Sequence, residues 1–430
     1  MALTILATGD IHIGKKSSGI RHTADESASK YTWNKIVDYV IKNKVDVLAL
    51  TGDIVDQDNR YFEAIGPLQA GFEKLKQSDI SVYMIAGNHD FDVLPQLINP
   101  DRYDNVHFLG ANGTWEVDTF YKNGEQIQFV GWSFPKRYVS EDPLLKFNLP
   151  DIDTNITTIG LVHGDVNIPD SKYAPLDFSN FLNTPVHIWI LGHIHKPQIL
   201  RNSPPVVYYP GSPHALSAKE QGVHGPILLT INSKTDIPIE QIPLSPIRYE
   251  TLSIDITDKN DETEVRNAVT SKLVDDAESK IDELENVSFL VYDIILEGHH
   301  SKIRELETWV NRISDYEQEI NTTETRILVR KIVFDIQPKV DNMKELAKES
   351  SPAGILAKSI IALQNGESTK FTDHLLEEWK SVHNSITQAG TYHPLRTTER
   401  FKLEQHQDAK QYILNECKRI LTELISQHKQ

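Results

Sequence analysis

Five short polar clusters in this 430-residue chain hold most of its candidate chemistry. They are Gly-Asp-Ile-His-Ile-Gly (residues 9–14), Gly-Asp-Ile-Val-Asp (52–56), Gly-Asn-His-Asp (87–90), His-Gly-Asp (163–165) and Gly-His-Ile-His (192–195). Asp, His and Asn supply the oxygen and nitrogen donors that bind hard or borderline divalent cations. Residues two apart in an extended chain face one side, so Asp10 with His12, and His193 with His195, could each grip one ion. One carboxylate can bridge two cations roughly 3.5–4 Å apart, and Asp53 is the natural bridge. Taken singly, an Asp-x-His or His-x-His pair is more often structural or solvated, and Asn88 alone would be a turn residue. The ordered set of five reverses that balance.

Each cluster directly follows an apolar run of strand length: TILAT, VDVLAL, SVYMIA, TTIGLV and VHIWIL. Strand C-terminal ends are where open α/β sheets place their ligand sites, and five such ends can converge on one point. Amphipathic helices fall between the early runs, one with Trp33, Ile36, Val37, Val40 and Ile41 on one face, the next with Phe62, Ile65, Leu68, Phe72 and Leu75. A hairpin is expected to turn at Asn123-Gly124. The expected fold class is α/β, a layered sandwich with mixed sheets.

Three regions are expected: a catalytic domain over 1–242, an α+β capping domain over 247–339 with β-α-β-α-β order, and a helical C-terminal region over 340–430. The stretch Ile242-Pro243-Leu244-Ser245-Pro246 reads as a linker. No run approaches the ~20 apolar residues of a membrane span. The apolar opening ALTILAT is short and is read as the first strand, not a signal peptide. A lone cysteine, Cys417, excludes an intramolecular disulfide and a cysteine metal site. A cytoplasmic location is therefore expected.

In this order, the five clusters resemble those of the calcineurin-like metallophosphoesterases over roughly residues 3 to 215. The resemblance implies a four-layer α/β/β/α sandwich and a two-metal phosphoesterase. It implies that Asp10, His12, Asp53 and His195 hold one metal, and that Asp53, Asn88, His163 and His193 hold the other. His89 would be the catalytic histidine beside the leaving group, oriented by Asp56, although Asp56 could also cap a helix start. Such a metal pair lowers the pKa of a water, giving a nucleophile near neutral pH, and neutralises phosphoryl charge. Asp90, Asp92 and Asp165 read as supporting or loop residues.

Two further stretches, LGHIHKP (191–197) and PPVVYYPGSP (204–213), resemble the nuclease component of SbcCD-type DNA-repair complexes. Phosphoprotein phosphatases carry Arg-Gly after the second Asp motif, but here Gln57-Asp58 follows Asp56. The Asp at position 56 is similar to the bacterial-type branch of the nucleases. What this implies is a 3′-5′ exonuclease, with single-strand endonuclease activity as an option, in double-strand-break repair. It also implies two divalent ions, manganese first with iron or zinc as alternatives. The implied partners are DNA and an SbcC-type ABC ATPase whose coiled coil docks on the C-terminal helices, with a homodimer as a further option. Candidate docking faces run from Phe371 through Leu375, Trp379, Val382 and Ile386, and from Ile413 to Leu424; packing against each other is the alternative use. A phosphodiesterase or phosphatase for small nucleotides is the competing reading.

The net charge of −17 opposes unaided DNA binding. Much of that acidity is local: eleven acidic residues face four basic ones between Ser253 and Val287. Near the clusters the sign differs. Lys15, Lys16, Arg21 and His22 follow the first cluster, and Lys196 follows the last. Phe134, Lys136, Arg137 and Tyr138 mix basic and aromatic groups, which suits phosphate contact with base stacking. Lys15, Lys16, Arg21, Lys136, Arg137 and Lys196 are thus the candidate substrate contacts, with plain surface solubility as their ordinary alternative.

Overall fold

The computed structural model describes residues 2–20, 25–56, 64–98, 102–149, 151–320, 323–338, 343–387 and 406–427. The chain divides into two units. Unit 1 comprises Met1–Thr251, Ala277–Asp293 and Glu317–Arg330; unit 2 comprises Leu252–Asp276, Ile294–Tyr316 and Lys331–Gln430.

Unit 1 is built on two six-stranded sheets. The first contains β1 (Leu3–Thr8), β2 (Val47–Thr51), β3 (Ser81–Ile85) and β4 (Val106–Phe108), with α1 (Ser29–Lys42), α2 (Ile65–Gln77) and the one-turn α3 (Leu94–Leu97) between them. The second begins with the hairpin β5 (Trp115–Lys122) and β6 (Glu125–Trp132), whose ends pair Lys122 with Glu125 around Asn123-Gly124. It continues through β7 (Thr157–His163) and, after the two-residue strands β8 (Asp165–Val166) and β9 (Pro175–Leu176) and the one-turn α4 (Phe178–Phe181), through β10 (Ile188–Gly192), β11 (Gln198–Arg201) and β12 (Val206–Tyr209). Strands β13 (Ile227–Ile231) and β14 (Ile239–Gln241) return to the first sheet. The orders are β14-β13-β1-β2-β3-β4 and β11-β12-β10-β7-β6-β5.

Two-residue alternation explains the layering. Ile5, Ala7, Val47, Ala49, Tyr83 and Ile85 point inward against Phe129, Ile159, Leu161, Ile188 and Ile190. The alternate residues Leu6, Leu48, Leu50, Val82 and Met84 pack beneath Trp33, Ile36, Val37, Leu68 and Phe72 of α1 and α2. On the far side, Trp189, Leu191 and Val207 are covered by Phe181, Leu176 and Leu144. That outer layer is thin, since α4 is one turn long.

The Pro-rich stretch does not behave as a free linker. Ile242 and Leu244 are buried in the core under α1 and α2, because their apolar side chains alternate with the prolines. Beyond it come β15 (Ile247–Asp255), α5 (Glu262–Glu278), β16 (Phe289–His300), α6 (Ile303–Val310), β17 (Gln318–Ile320) and β18 (Thr325–Pro338), forming a sheet of order β15-β16-β18-β17. Within unit 1, Tyr249, Phe289, Val291 and Leu328 cluster with Ala215 and Ile20.

Unit 2 holds α7 (Met343–Leu346), α8 (Pro352–Gln364), α9 (Lys370–Thr387) and α10 (His406–Gln427). Leu356, Ile360, Leu376, Ile413, Leu414, Cys417 and Leu421 form its core. Most of the apolar stripe on α10 is therefore spent on α8, and Leu375 and Trp379 pack against the same cluster. Phe371, Val382 and Ile420 stay exposed; the side chain of Ile386 lies outside the described residues. Among the described residues no helix is long and apolar enough to cross a membrane.

Candidate metal centre

The polar clusters are carried by the ends of β1, β2, β3, β7 and β10 and the loops that follow them, neighbours within the two sheets. Asp10 and His12 lie beyond the end of β1, both in the left-handed region at φ 51° and 49°. Asp53 (φ 51°) follows β2 and His193 (φ 99°) follows β10 in the same region. Such backbone is costly for residues with a Cβ, and persists where surrounding structure over-determines it. Here Asp10 N–H donates to Gly52 O and His12 N–H to Asp53 O, both at 3.0 Å. Strand-like alternation is thus not what directs these side chains. His193 and His195 accordingly diverge, and do not grip one ion together as their spacing suggested.

The structure brings the donors into two adjoining groups. Asp10, His12 and His195 converge in one, and Asp53, His163 and His193 in the other. Asn88 joins the second, its Oδ1 3.1 Å from His163 Nε2. Asp53 lies between, with Oδ2 3.5 Å from His163 Nε2, and Oδ1 accepting the backbone N–H of His89 at 2.8 Å. Asp10, His12, Asp53, Asn88 and His163 are buried, whereas His89, His193 and His195 are partly exposed, so the centre opens on one side. Glycine is required where the loops meet: a Cβ on Gly87 would stand 2.2 Å from Asp53 Oδ1, and one on Gly192 would stand 2.2 Å from Thr51 O.

The donor set fits divalent cations. His163 Nδ1 lies 2.9 Å from Thr51 O and His195 Nδ1 3.0 Å from Glu220 Oε1. Each bond fixes the tautomer that aims an Nε2 lone pair into the centre. His12 Nε2 and His195 Nε2 then face each other at 3.2 Å. Two imidazole nitrogens can share one proton at most, while a cation takes both lone pairs, and the gap suits two bonds of about 2.1 Å. His163 shows the same crowding: burial favours its neutral ring, but Asp53 outweighs that and pushes it up to about 9.

Supporting carboxylates surround the donors. Asp90 accepts backbone N–H groups from Gly87 (2.8 Å), Ile54 (2.6 Å) and Val55 (3.2 Å), clamping two ligand loops together. Asp165 Oδ1 lies 3.4 Å from His193 Nε2. Glu220 follows no apolar run and belongs to no cluster, so nothing local in the sequence announces it. Burial opposes its charge, but His195 outweighs that and holds Glu220 below the usual carboxylate range.

Asp56 is buried at the end of the described segment 25–56. Its Oδ1 lies 3.5 Å from His89 Nδ1 and 3.6 Å from His12 Nδ1, with Lys15 Nζ nearest at 2.8 Å. Burial would raise its pKa, but these three neighbours together hold it well below the usual carboxylate range. Lys15 is thus paired with Asp56. Lys16, Lys136, Arg137 and Lys196 are exposed on loops, and Arg21 and His22 lie outside the described residues. Phe134 is not available for stacking on substrate: it is buried, with its ring edge-on to His163 at 5.6 Å. The apolar end of β6 carries it inward.

Comparison with known proteins bears on this geometry. The chain is 28% identical over 289 residues to YhaO, an uncharacterized metallophosphoesterase of Bacillus subtilis, spanning 65% of this chain and 68% of YhaO. It is 24% identical over 401 residues to the DNA double-strand break repair protein Mre11 of Methanocaldococcus jannaschii, spanning 86% of this chain and 97% of that one. It is 25% identical over 279 residues to a component of the nuclease SbcCD of Staphylococcus epidermidis, spanning 57% of this chain and 71% of that one. The profile of the calcineurin-like phosphoesterases matches residues 3–197, the segment that supplies all the converging donors. Over that segment, the chain is similar to the calcineurin-like phosphoesterase family.

Proposed function

We propose that this protein is a two-metal phosphodiesterase acting on DNA, a 3′-5′ exonuclease with single-strand endonuclease activity as a second capability. The observation that carries the hydrolytic reading is the convergence of Asp10, His12 and His195 beside Asp53, His163, His193 and Asn88. One divalent cation would be held by Asp10, His12, Asp53 and His195, and the other by Asp53, Asn88, His163 and His193. When bound, the two cations supply a water nucleophile and Lewis acidity toward the phosphoryl oxygens. Manganese is the first expectation, with iron or zinc as alternatives.

The chain's own residues do the rest. His89, partly exposed at the open side, donates a proton to the leaving oxygen. Its backbone is pinned by the bond to Asp53 Oδ1, and its Nδ1 edge faces Asp56. Lys15 neutralises Asp56, and Lys16 and Lys196 add positive charge at the rim.

The likeness to Mre11 and to the SbcCD component supports DNA as the substrate. The net charge of −17 favours the competing reading, a phosphodiesterase for small nucleotides, so an SbcC-type ATPase partner belongs to the proposal. Unit 2 helices would receive it through Phe371, Val382 and Ile420, which are exposed. Within the proposal, residues 1–242 are catalytic, 247–339 form a cap, and 340–430 bind the partner. The test is hydrolysis of labelled linear DNA and of bis-p-nitrophenyl phosphate with Mn²⁺. Cleavage of the ester with no DNA degradation, even with the ATPase added, overturns the nuclease reading.

A further inference from the structure

Beside His193 a file of rings runs outward to the surface. Tyr173 lies on His193 with ring centres 4.9 Å apart and planes 35° apart. Tyr138 follows Tyr173 at 5.8 Å, and the Arg137 guanidinium sits 5.4 Å from the Tyr138 ring centre. The two loops that carry these residues are laced together: Val139 N–H donates to Lys172 O, and Ala174 N–H to Val139 O, both at 2.8 Å. Tyr173 N–H is tied to Ser171 Oγ at 2.9 Å, whose hydroxyl in turn bonds Asp165. The file is therefore anchored to the metal centre at its inner end. At its outer end Tyr138 is 45% exposed.

We propose that Tyr173 and Tyr138 form a stacking platform for a nucleobase next to the scissile phosphodiester; this rests on the phosphodiesterase reading above. Flat aromatic faces accept any base, and rigid rings lose little entropy on doing so. Exposed Lys136, Arg137 and Lys172 surround Tyr138 in the two loops and suit the phosphates that connect successive bases. The cleft that begins at the neighbouring Ser140 and Asn167 has a volume of about 460 Å³ but the wrong sign. Glu141, Asp142 and Asp177 line it with Lys146, which is paired with Glu141 at 2.7 Å, so the lining stays net negative and disfavours a polyanion. Charge thus directs the strand along the tyrosines. The substrate this selects is a single-stranded or frayed end, because a base inside a duplex offers no free face.

The test uses the full chain. Binding of a single-stranded oligonucleotide with terminal 2-aminopurine is followed by fluorescence in EDTA, where hydrolysis cannot intervene. Wild type is expected to quench the base, and Tyr138→Ala to lose the quench and weaken binding ~5- to 100-fold. Tyr138→Phe should restore both. Wild-type quench and affinity in Tyr138→Ala overturn the platform, and so does failure of Tyr138→Phe to restore them. Cleavage with Mn²⁺ then compares an oligonucleotide with one lacking the terminal base. Losing the base and losing the ring should raise KM alike, and together no further; additive losses overturn the proposal. Wild type that stacks the oligonucleotide but does not cleave it would sink the nuclease reading and leave the platform standing.

Discussion

Glu220 Oε1 accepts the Nδ1–H of His195 at 3.0 Å, while its Oε2 accepts the backbone N–H of Leu216 at 2.7 Å. The carboxylate is thereby fixed to its own loop and sets which nitrogen of His195 enters the centre. Glu220→Ala should weaken one cation of the pair by roughly 10–100-fold and spare the other. Calorimetric titration of the metal-free protein would show two unequal sites where wild type shows two tight ones. Equal retention of both ions would show that the contact is passive.

In the proposed mechanism His89 acts on the leaving group and the cations are held by other residues. His89→Ala should lower kcat on a phosphodiester by about 10²–10⁴-fold. Metal content, read by elemental analysis, should stay at the wild-type level. Full hydrolysis in the variant would refute the role.

His214 is buried away from the donors, bonded to Ser17 Oγ, Thr32 Oγ1 and Ser27 O. Burial disfavours its charged form and pushes it down to about 4. An unfolded His214 takes up a proton near pH 6.5, but the folded one does so only near 4. Stability from this group is therefore complete above about pH 6.5 and is lost as pH falls toward 4, by about 3 kcal/mol at most. Urea unfolding midpoints across that range should fall less steeply for His214→Gln than for wild type. Parallel slopes would contradict the assignment.

Gly87 permits a close approach between two ligand loops of the centre. Gly87→Ala would drive a methyl against Asp53 Oδ1, so either Asp53 or the Asn88–His89 loop must move. Hydrolysis should fall at least roughly tenfold, since about 1 Å of misplacement is costly in catalysis, while the far-ultraviolet circular dichroism stays that of wild type. Unchanged kinetics would mean that the loops yield easily.

What can be read from the sequence is what is local in it. Each donor cluster stands directly after an apolar run, so Asp10, Asp53, Asn88, His163 and His193 announce themselves within a few residues. The same apolar runs, by their strand length, reveal strands of the sandwich. Glu220 stands 25 residues from His195, and Tyr173 reaches His193 only through the fold; neither spacing has a local signature. Phe134 reads as a surface ring because the hydropathy of -SFPKRY- does not reveal that β6 carries it inward. Lys15 is legible as a cation near the centre, but its attachment to Asp56 depends on how two loops meet.

His12 and His195 stand 183 residues apart and face each other at 3.2 Å. The centre is thus non-local in the extreme, and such contacts form late because the intervening chain must first be ordered. A polypeptide growing from the ribosome can complete β1, β2 and β3 long before it has any means of hydrolysis. Turnover by this protein would for that reason report that the loops after β1 and β10, which carry His12 and His195, have already been brought together.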